Sequence, residues 1–291
     1  MTPDLRALRI GVALNTSSGT CDESARDRLE AVLLSARLQP VQIHCVSGEK
    51  LSEALDRLVA AQIDVLIVLG GDGTIRSAAE RCAGNGIMLI ALPGGTMNLL
   101  PKALYDDRDW ESALKATLAR PRLEPVSGGQ VNEHLFFCAG IFGAASLWTE
   151  VREAVRSNQF VDAVRRSVRA FRRTFTRRVT FAAGTASRRR TAAAVAVICP
   201  LASSALKTRS SAFEIAALNF RDAREAFRLA VTALFANWRS DPAVTTSVAT
   251  SVAIDAGKRF PAVLDGELVH LEGEIVVSFK PQLFTALVPD G

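Results

Sequence analysis

Residues 64–75 read DVLIVLGGDGTI, an apolar run that ends on Gly70, Gly71, Asp72, Gly73 and Thr74. The run is a strand's length and apolar throughout, as expected when helices cover both faces of a parallel sheet. A turn leaving the C-terminal end of such a strand is where open α/β sheets bind ligands. Glycines there let the backbone approach a ligand and reach positive φ. Free N–H groups at the start of the following helix, read here from Ile75, favour a phosphate. Asp72 would repel a bare phosphate, so it points to a divalent cation between the two, or to a lysine or water that it orients. The same letters also suit a glycine-rich βα turn whose aspartate caps the next helix, and neither a Walker A motif nor G-x-G-x-x-G is present.

The elements that must hold this turn alternate. RIGVALN (9–15), VQIHCV (41–46), DVLIVL (64–69) and GIMLIALP (86–93) read as strands. Residues 22–37, 50–62, 75–83 and 109–120 carry apolar positions at helical spacing. Strand–helix alternation predicts a three-layer parallel α/β domain. The pattern changes at Pro121 and Pro125. Beyond them QVNEHLFFCAGIFG (130–143), a hairpin turning near Gly184, FEIAAL (213–218), 245–256, 267–281 and 283–289 read as strands, several alternating apolar and polar residues as half-buried antiparallel strands do. Residues 146–176 and 224–238 read as inserted helices. The expected division is residues 1–124, a nucleotide-binding α/β domain, and 125–291, a mostly-β, sandwich-like domain.

GGDGT (70–74) is preceded by NTSSG (15–19), followed by PGGTMN (93–98), and matched near the other end by LDGELVH (264–270). Together, in this order, these stretches resemble the diacylglycerol kinase catalytic-domain family, which includes bacterial lipid kinases and the sphingosine and ceramide kinases. GGDGT alone is shared with NAD kinases and phosphofructokinases. The resemblance implies a lipid kinase that transfers the γ-phosphoryl group of ATP, with Mg²⁺, to a lipid hydroxyl. Asn15, Ser18 and Gly19 would line the nucleotide. Gly70, Gly71, Asp72, Gly73 and Thr74 would hold its phosphates, Asp72 through the metal. Gly95, Thr96 and Asn98 would complete the pocket. Asp265 and Glu267 would lie across an interdomain cleft, and one of them would take the proton from the lipid hydroxyl. Glu267 is the favoured base, with Asp265 supporting it or binding metal. Three positions depart from the family pattern: Arg76 and Ser77 follow GGDGT, and Leu99 stands where G-T-x-N-D has its aspartate. An acidic metal-binding stretch of some members corresponds to RSSAFEI (209–215), in which only Glu214 is a carboxylate.

The net charge of +5 is unevenly spread. Residues 163–213 hold twelve Lys or Arg and no Asp or Glu, leaving 23 basic and 30 acidic residues elsewhere, a balance of −7. Within 160–175 the residues Phe160, Val164, Val168, Phe171 and Phe175 fall on one helical face. Arg165, Arg166, Arg169, Arg172 and Arg173 fall on the other. Such a basic amphipathic helix reads as a membrane-surface binder, with each basic side chain contributing about 1 kcal/mol at an anionic leaflet. The alternative is a helix that packs its phenylalanines on its own domain. The expected partners are a lipid substrate and an anionic membrane surface, with a homodimer as a candidate assembly. Nucleic acid is not expected, because no recognition motif accompanies the arginines. Five scattered cysteines without a C-x-x-C pair read as reduced thiols. No signal peptide or bilayer-length apolar run is present, so the expected location is cytoplasmic, on the inner face of the membrane.

Overall fold

The structure, a computed structural model, describes residues 3–22, 24–143, 178–184, 188–206, 210–220, 238–255 and 260–290. The arginine-rich helix expected at 160–175 lies outside them, as do residues 224–237 of that expected at 224–238. No helix among the described residues is long and apolar enough to cross a membrane.

Two compact units emerge, residues 1–128 with 280–291, and residues 129–279. The first unit runs β1 (Ile10–Asn15), α1 (Ala25–Ser35), β2 (Gln42–Val46), α2 (Leu51–Ala60), β3 (Val65–Gly70), α3 (Asp72–Cys82), β4 (Met88–Pro93), α4 (Leu99–Tyr105) and α5 (Trp110–Ala119). Strand β5 (Pro121–Val131) leads out of it. The strands order as β2-β1-β3-β4, all parallel, with β3 central and buried along its whole length. Helices cover this sheet through buried residues such as Leu29 and Leu33 of α1, Leu55 and Leu58 of α2, and Ile75 and Ala79 of α3. This is the parallel α/β architecture expected from the alternation.

The second unit contains β6 (His134–Phe136), β7 (Ala139–Phe142), β8 (Val179–Ala183), β9 (Arg190–Ala192), β10 (Ala194–Ile198), β11 (Phe213–Leu218), β12 (Val244–Ala249), β13 (Ser251–Asp255), β14 (Phe260–Leu264), β15 (Glu267–Leu271) and the start of β16 (Ile275–Pro289). One antiparallel sheet orders as β12-β11-β10-β7-β14-β15. Strands β13, β8 and β9 pair in sequence beside the first residues of β16, again antiparallel. Phe142, Val195, Phe213 and Leu264 of the first group share one apolar core with Phe181, Val252, Ile254 and Val277 of the second. The predicted sandwich-like β part is therefore present.

Three expectations from the residue pattern change. The alternating run 245–256 is two strands in different sheets, because the chain bends at Thr250 between β12 and β13. The runs 267–281 and 283–289 divide differently, at a turn through Gly273 with φ 76°, so that one 15-residue strand, β16, follows. Its residues 280–289 return to the first unit, where Thr285 and Ala286 pair parallel with Met88 and Leu89 of β4. The division therefore does not fall at 124/125, inside β5. Pro121 and Pro125 are part of that strand and do not end the first unit.

Buried Tyr105 fastens α4 in the first unit. Its hydroxyl accepts from Ala91 N at 3.2 Å and donates to Leu287 O at 3.0 Å, joining β4, α4 and the returning strand.

Candidate functional site

In the first unit, three turns leave the C-terminal ends of neighbouring strands β1, β3 and β4. Position at the C-terminal edge of a parallel sheet, where the strand order reverses between β1 and β3, suits a ligand. The turns are fastened to one another by the residues the sequence singles out. Asn15, ending β1, donates from Nδ2 to Thr74 Oγ1 at 2.8 Å and accepts Ser17 N at Oδ1 at 3.0 Å. Ser18 donates its hydroxyl back to Asn15 O, closing the first turn on itself. Gly19 leaves open space where a side chain would stand.

Helix α3 begins at Asp72, earlier than the expected start at Ile75, with Gly71 in extended conformation before it. Its first backbone bond runs from Ile75 N to Gly71 O at 3.0 Å. The N–H groups of Asp72, Gly73 and Thr74 precede that bond, and they are the donors a helix start leaves for capping groups or ligands. Gly70 has a steric cause: a Cβ there would lie 2.4 Å from Thr74 Cγ2.

The PGGTMN turn lies directly on this glycine turn. Gly94 N donates to Gly70 O at 2.8 Å. A Cβ on Gly94 would sit 2.8 Å from the Gly70 backbone, and one on Gly95 would sit 2.8 Å from Gly71 Cα. Asn98 adopts φ 52° and folds its amide onto the Gly95 peptide, accepting Gly95 N and donating to Gly95 O, both at 2.8 Å. Thr96 is exposed at the turn's tip.

Asp72 joins the two turns. Its carboxylate accepts Asn98 N at 3.1 Å and Leu99 N at 2.6 Å. The aspartate therefore caps α4, the helix after the next strand, and not the helix it begins. The bond to residue 99 uses the backbone, so Leu99 fills its place without an acidic side chain. Arg76 is 8% exposed and donates from Nε to Glu80 at 3.0 Å, one turn further along α3.

Two residues in contact with this site were not singled out from the sequence. Gly94 makes the closest backbone approach to the GGDGT turn. Thr20 donates its N–H to Gly94 O at 3.2 Å and bridges the first and third turns. Both are neighbours in sequence of motif residues, which was the available signal. Gly94→Ala is expected to push the two turns apart and cost about 1–3 kcal/mol by overpacking. A thermal melt with and without ATP should show both a lower melting temperature and a smaller nucleotide-induced shift.

The D-G-E residues lie in the second unit. Asp265 and Gly266, with φ 47° and 87°, form the two-residue loop between β14 and β15. Positive φ at both positions matches a type I′ hairpin turn, which Asp-Gly favours. The Asp265 side chain is 6% exposed and accepts three consecutive backbone N–H groups: Phe137 at 2.7 Å, Cys138 at 2.8 Å and Ala139 at 2.9 Å. Glu267 opens β15 and is half-buried. The two carboxylates thus have different surroundings, which the motif alone did not reveal.

Glu214 in β11 is 2% exposed. Arg239 grips it through Nε at 2.6 Å and Nη2 at 2.8 Å, and the Ser203 hydroxyl donates to it as well. Burial alone would push its carboxyl up, but Arg239 and Ser203 together hold it below its ordinary value of 4.5. Because the folded value is depressed, the pair's stabilisation is fully present above the ordinary value and is lost as pH falls through the folded one. Arg239→Met should leave a buried carboxylate unpaired and cost about 3 kcal/mol near neutrality. Melts at pH 7 and through a series of falling pH below the ordinary value check this: the gap between wild type and variant should shrink as Glu214 takes up its proton.

Strand order, three glycine-bearing turns at one sheet edge and an aspartate among them define a parallel α/β domain with a candidate ligand site, followed by a β-rich companion. Residues 9–131 match the Diacylglycerol kinase catalytic domain. An 80-residue stretch is 36% identical to the NAD kinases of two strains of Nitratidesulfovibrio vulgaris, DP4 and Hildenborough, covering 27% of this chain and 26% of theirs. The match thus spans about a quarter of those relatives' length. Among solved structures, a diacylglycerol kinase from Bacillus anthracis str. Sterne superposes with a TM-score of 0.69 at 17% identity over 96% of both chains. A second structure from that organism gives 0.72 at 18% identity over the same shares. At these identities the likeness is one of fold.

Proposed function

We propose that this protein is an ATP-dependent kinase whose acceptor is a lipid hydroxyl. The observation that carries the nucleotide half is the interlocked set of turns, Asn15 to Thr74, Gly70 to Gly94 and Asp72 to Asn98, at one edge of the parallel sheet. The N–H groups of Asp72, Gly73 and Thr74 would receive the phosphates at the start of α3. Ser18, Gly19, Thr96 and the glycines around them would surround the rest of the nucleotide.

Mg²⁺ fits this donor set in the mode where one carboxylate and the substrate's own phosphates hold the ion. Each Asp72 oxygen accepts one backbone N–H and retains a second lone pair. When bound, the ion would neutralise charge on the transferred phosphoryl group. The chain's own contribution is to orient: two backbone bonds hold the Asp72 carboxylate, and Asn98 fixes the turn facing it.

Glu267 is the proposed general base, and Asp265 the residue that positions it. Support comes from the contrast between an aspartate whose oxygens are occupied by three backbone N–H groups and a half-buried glutamate two residues on. The lipid acceptor rests on the D-G-E motif and on Arg165, Arg166, Arg169, Arg172 and Arg173, whose basic face suits an anionic membrane surface on the cytoplasmic side. The identity shared with NAD kinases favours a second reading, a soluble nucleotide acceptor. Labelled ATP with Mg²⁺, offered to diacylglycerol, phosphatidylglycerol, a sphingoid base and a polyprenol in anionic mixed micelles, with NAD alongside, separates the two. A labelled lipid is expected. Labelled NADP with no labelled lipid would overturn the lipid reading and leave the kinase.

A further inference from the structure

Glu214 is the one carboxylate left in the stretch that corresponds to an acidic metal-binding run in some members of the family this sequence resembles. A buried carboxylate needs a charged partner or a metal. Its strand, β11, lies between β10 and β12 in the six-stranded sheet. Its partners come from the ends of those two neighbours. Ser203 follows β10 through a single turn, Pro200–Ala202, and Arg239 lies in the turn Trp238–Ser240 that precedes β12.

Lone pairs decide whether a metal ion suits this place. A carboxylate oxygen has two, and a hydroxyl has two besides its proton. Glu214 Oε1 accepts Arg239 Nε at 2.6 Å. Glu214 Oε2 accepts Arg239 Nη2 at 2.8 Å and the Ser203 hydroxyl. Ser203 Oγ in turn accepts Ala205 N and Leu206 N, both at 3.1 Å. Only the second lone pair of Oε1 is left over, whereas Mg²⁺ or Ca²⁺ takes about six oxygens or more. An ion there would also meet the guanidinium on the same carboxylate, a like charge. Residues 203–213 add no Asp or Glu and bring Lys207 and Arg209. Among the described residues, no group of three or more His, Cys, Asp or Glu could hold a metal. The donor set therefore does not fit a metal ion.

It does fit a guanidinium, whose planar fork matches the two carboxylate oxygens and whose charge is permanent. The Arg239 guanidinium also lies 4.4 Å from the centre of the Trp238 ring, a contact that favours a cation. We infer that Arg239 is a built-in cation standing in for the metal ion of those family members. It closes the β10–β11–β12 end of the sheet by protein charge alone, and the second unit is indifferent to divalent metals. The Mg²⁺ proposed for Asp72 belongs to the first unit, so its removal leaves the packing around Glu214 unchanged.

Hydrogen exchange and thermal melts of the full chain, without nucleotide, test this in EDTA and in millimolar Mg²⁺, Ca²⁺ or Mn²⁺. The amides of Ala205, Leu206 and β11 should exchange within about two-fold of one rate in all four conditions. The melting temperature should agree within about 1 °C. Faster exchange at these amides in EDTA, reversed by any of the three cations, overturns the inference. Paired substitutions test the charge itself. Arg239→Met should speed exchange at Ala205 and Leu206 at least about 10-fold. Adding Glu214→Gln to Arg239→Met should restore most of that protection and raise the melting temperature above the single variant's, because a neutral amide needs no counter-charge. A double variant no more stable than Arg239→Met would show that the arginine acts by packing, and would overturn its role as the cation. Should Arg239→Met alone not fold, a folded double variant supports the inference, and an unfolded one overturns it.

Discussion

Asp72→Ala is expected to lower phosphate transfer by at least about 10³-fold, together with a small loss of stability. The two effects have separate causes. Removing the carboxylate deletes the acceptor for Asn98 N and Leu99 N at the start of α4, and loss of a helix cap costs about 1 kcal/mol. The large effect on rate would come from losing the ionised oxygens proposed to hold Mg²⁺ against the phosphates. Asp72→Asn and Asp72→Ser separate these roles, because asparagine and serine also accept hydrogen bonds at helix starts. Either should recover much of the melting temperature and little of the turnover. Turnover returning alongside stability in Asp72→Asn would show that the aspartate only orders the turn, and would remove it from the proposed metal site. Nucleotide-induced thermal shifts with and without Mg²⁺ give a second readout. In wild type the metal should enlarge the shift, and in Asp72→Asn the difference should disappear.

The capping role of Asp72 could not be read from the chain because its partners stand 26 and 27 residues away, beyond a whole helix and strand. What could be read was local: an apolar strand, a glycine turn, a helix behind it. The same division recurs through the molecule. Strands β1, β3 and β4 of the first unit were legible because buried parallel strands are continuous apolar runs, and β3 is one from end to end. The two strands within 245–256 were not, since period-two alternation continues across the bend at Thr250 and carries no mark of which sheet a strand joins. The return of residues 280–289 to the first unit was equally silent, as its pairing with Met88 and Leu89 joins opposite ends of the sequence. Arg76 looked like a loss from the nucleotide turn. Its place in the body of α3, paired with Glu80 one turn on, gives it a local electrostatic partner that the motif comparison did not consider.

Asp265→Ala and Glu267→Gln should fail in different ways, and the contrast tests the role of each carboxylate. Asp265→Ala takes the acceptor from three backbone N–H groups at once, those of buried residues 137 and 138 and of part-buried 139. A lost acceptor costs about 1–3 kcal/mol per buried donor, so a total of about 3 kcal/mol is a conservative expectation even if water reaches one of them. Asp265→Asn should fall between, as its amide would turn a donor toward at least one of those N–H groups. In both, activity and stability should decline together, because the type I′ loop that sets the start of β15 would loosen. Glu267→Gln preserves size and strand geometry at a half-buried position. It should leave the melting temperature within about 1 °C, since substitutions away from buried networks change stability little, while lowering kcat by about 10²-fold, the scale of a general base. A Glu267→Gln enzyme with wild-type kcat would exclude the glutamate as base. An Asp265→Asn enzyme of unchanged stability that alone loses turnover would assign the proton to the aspartate, against the three bonds that mark it as the residue holding the hairpin in place.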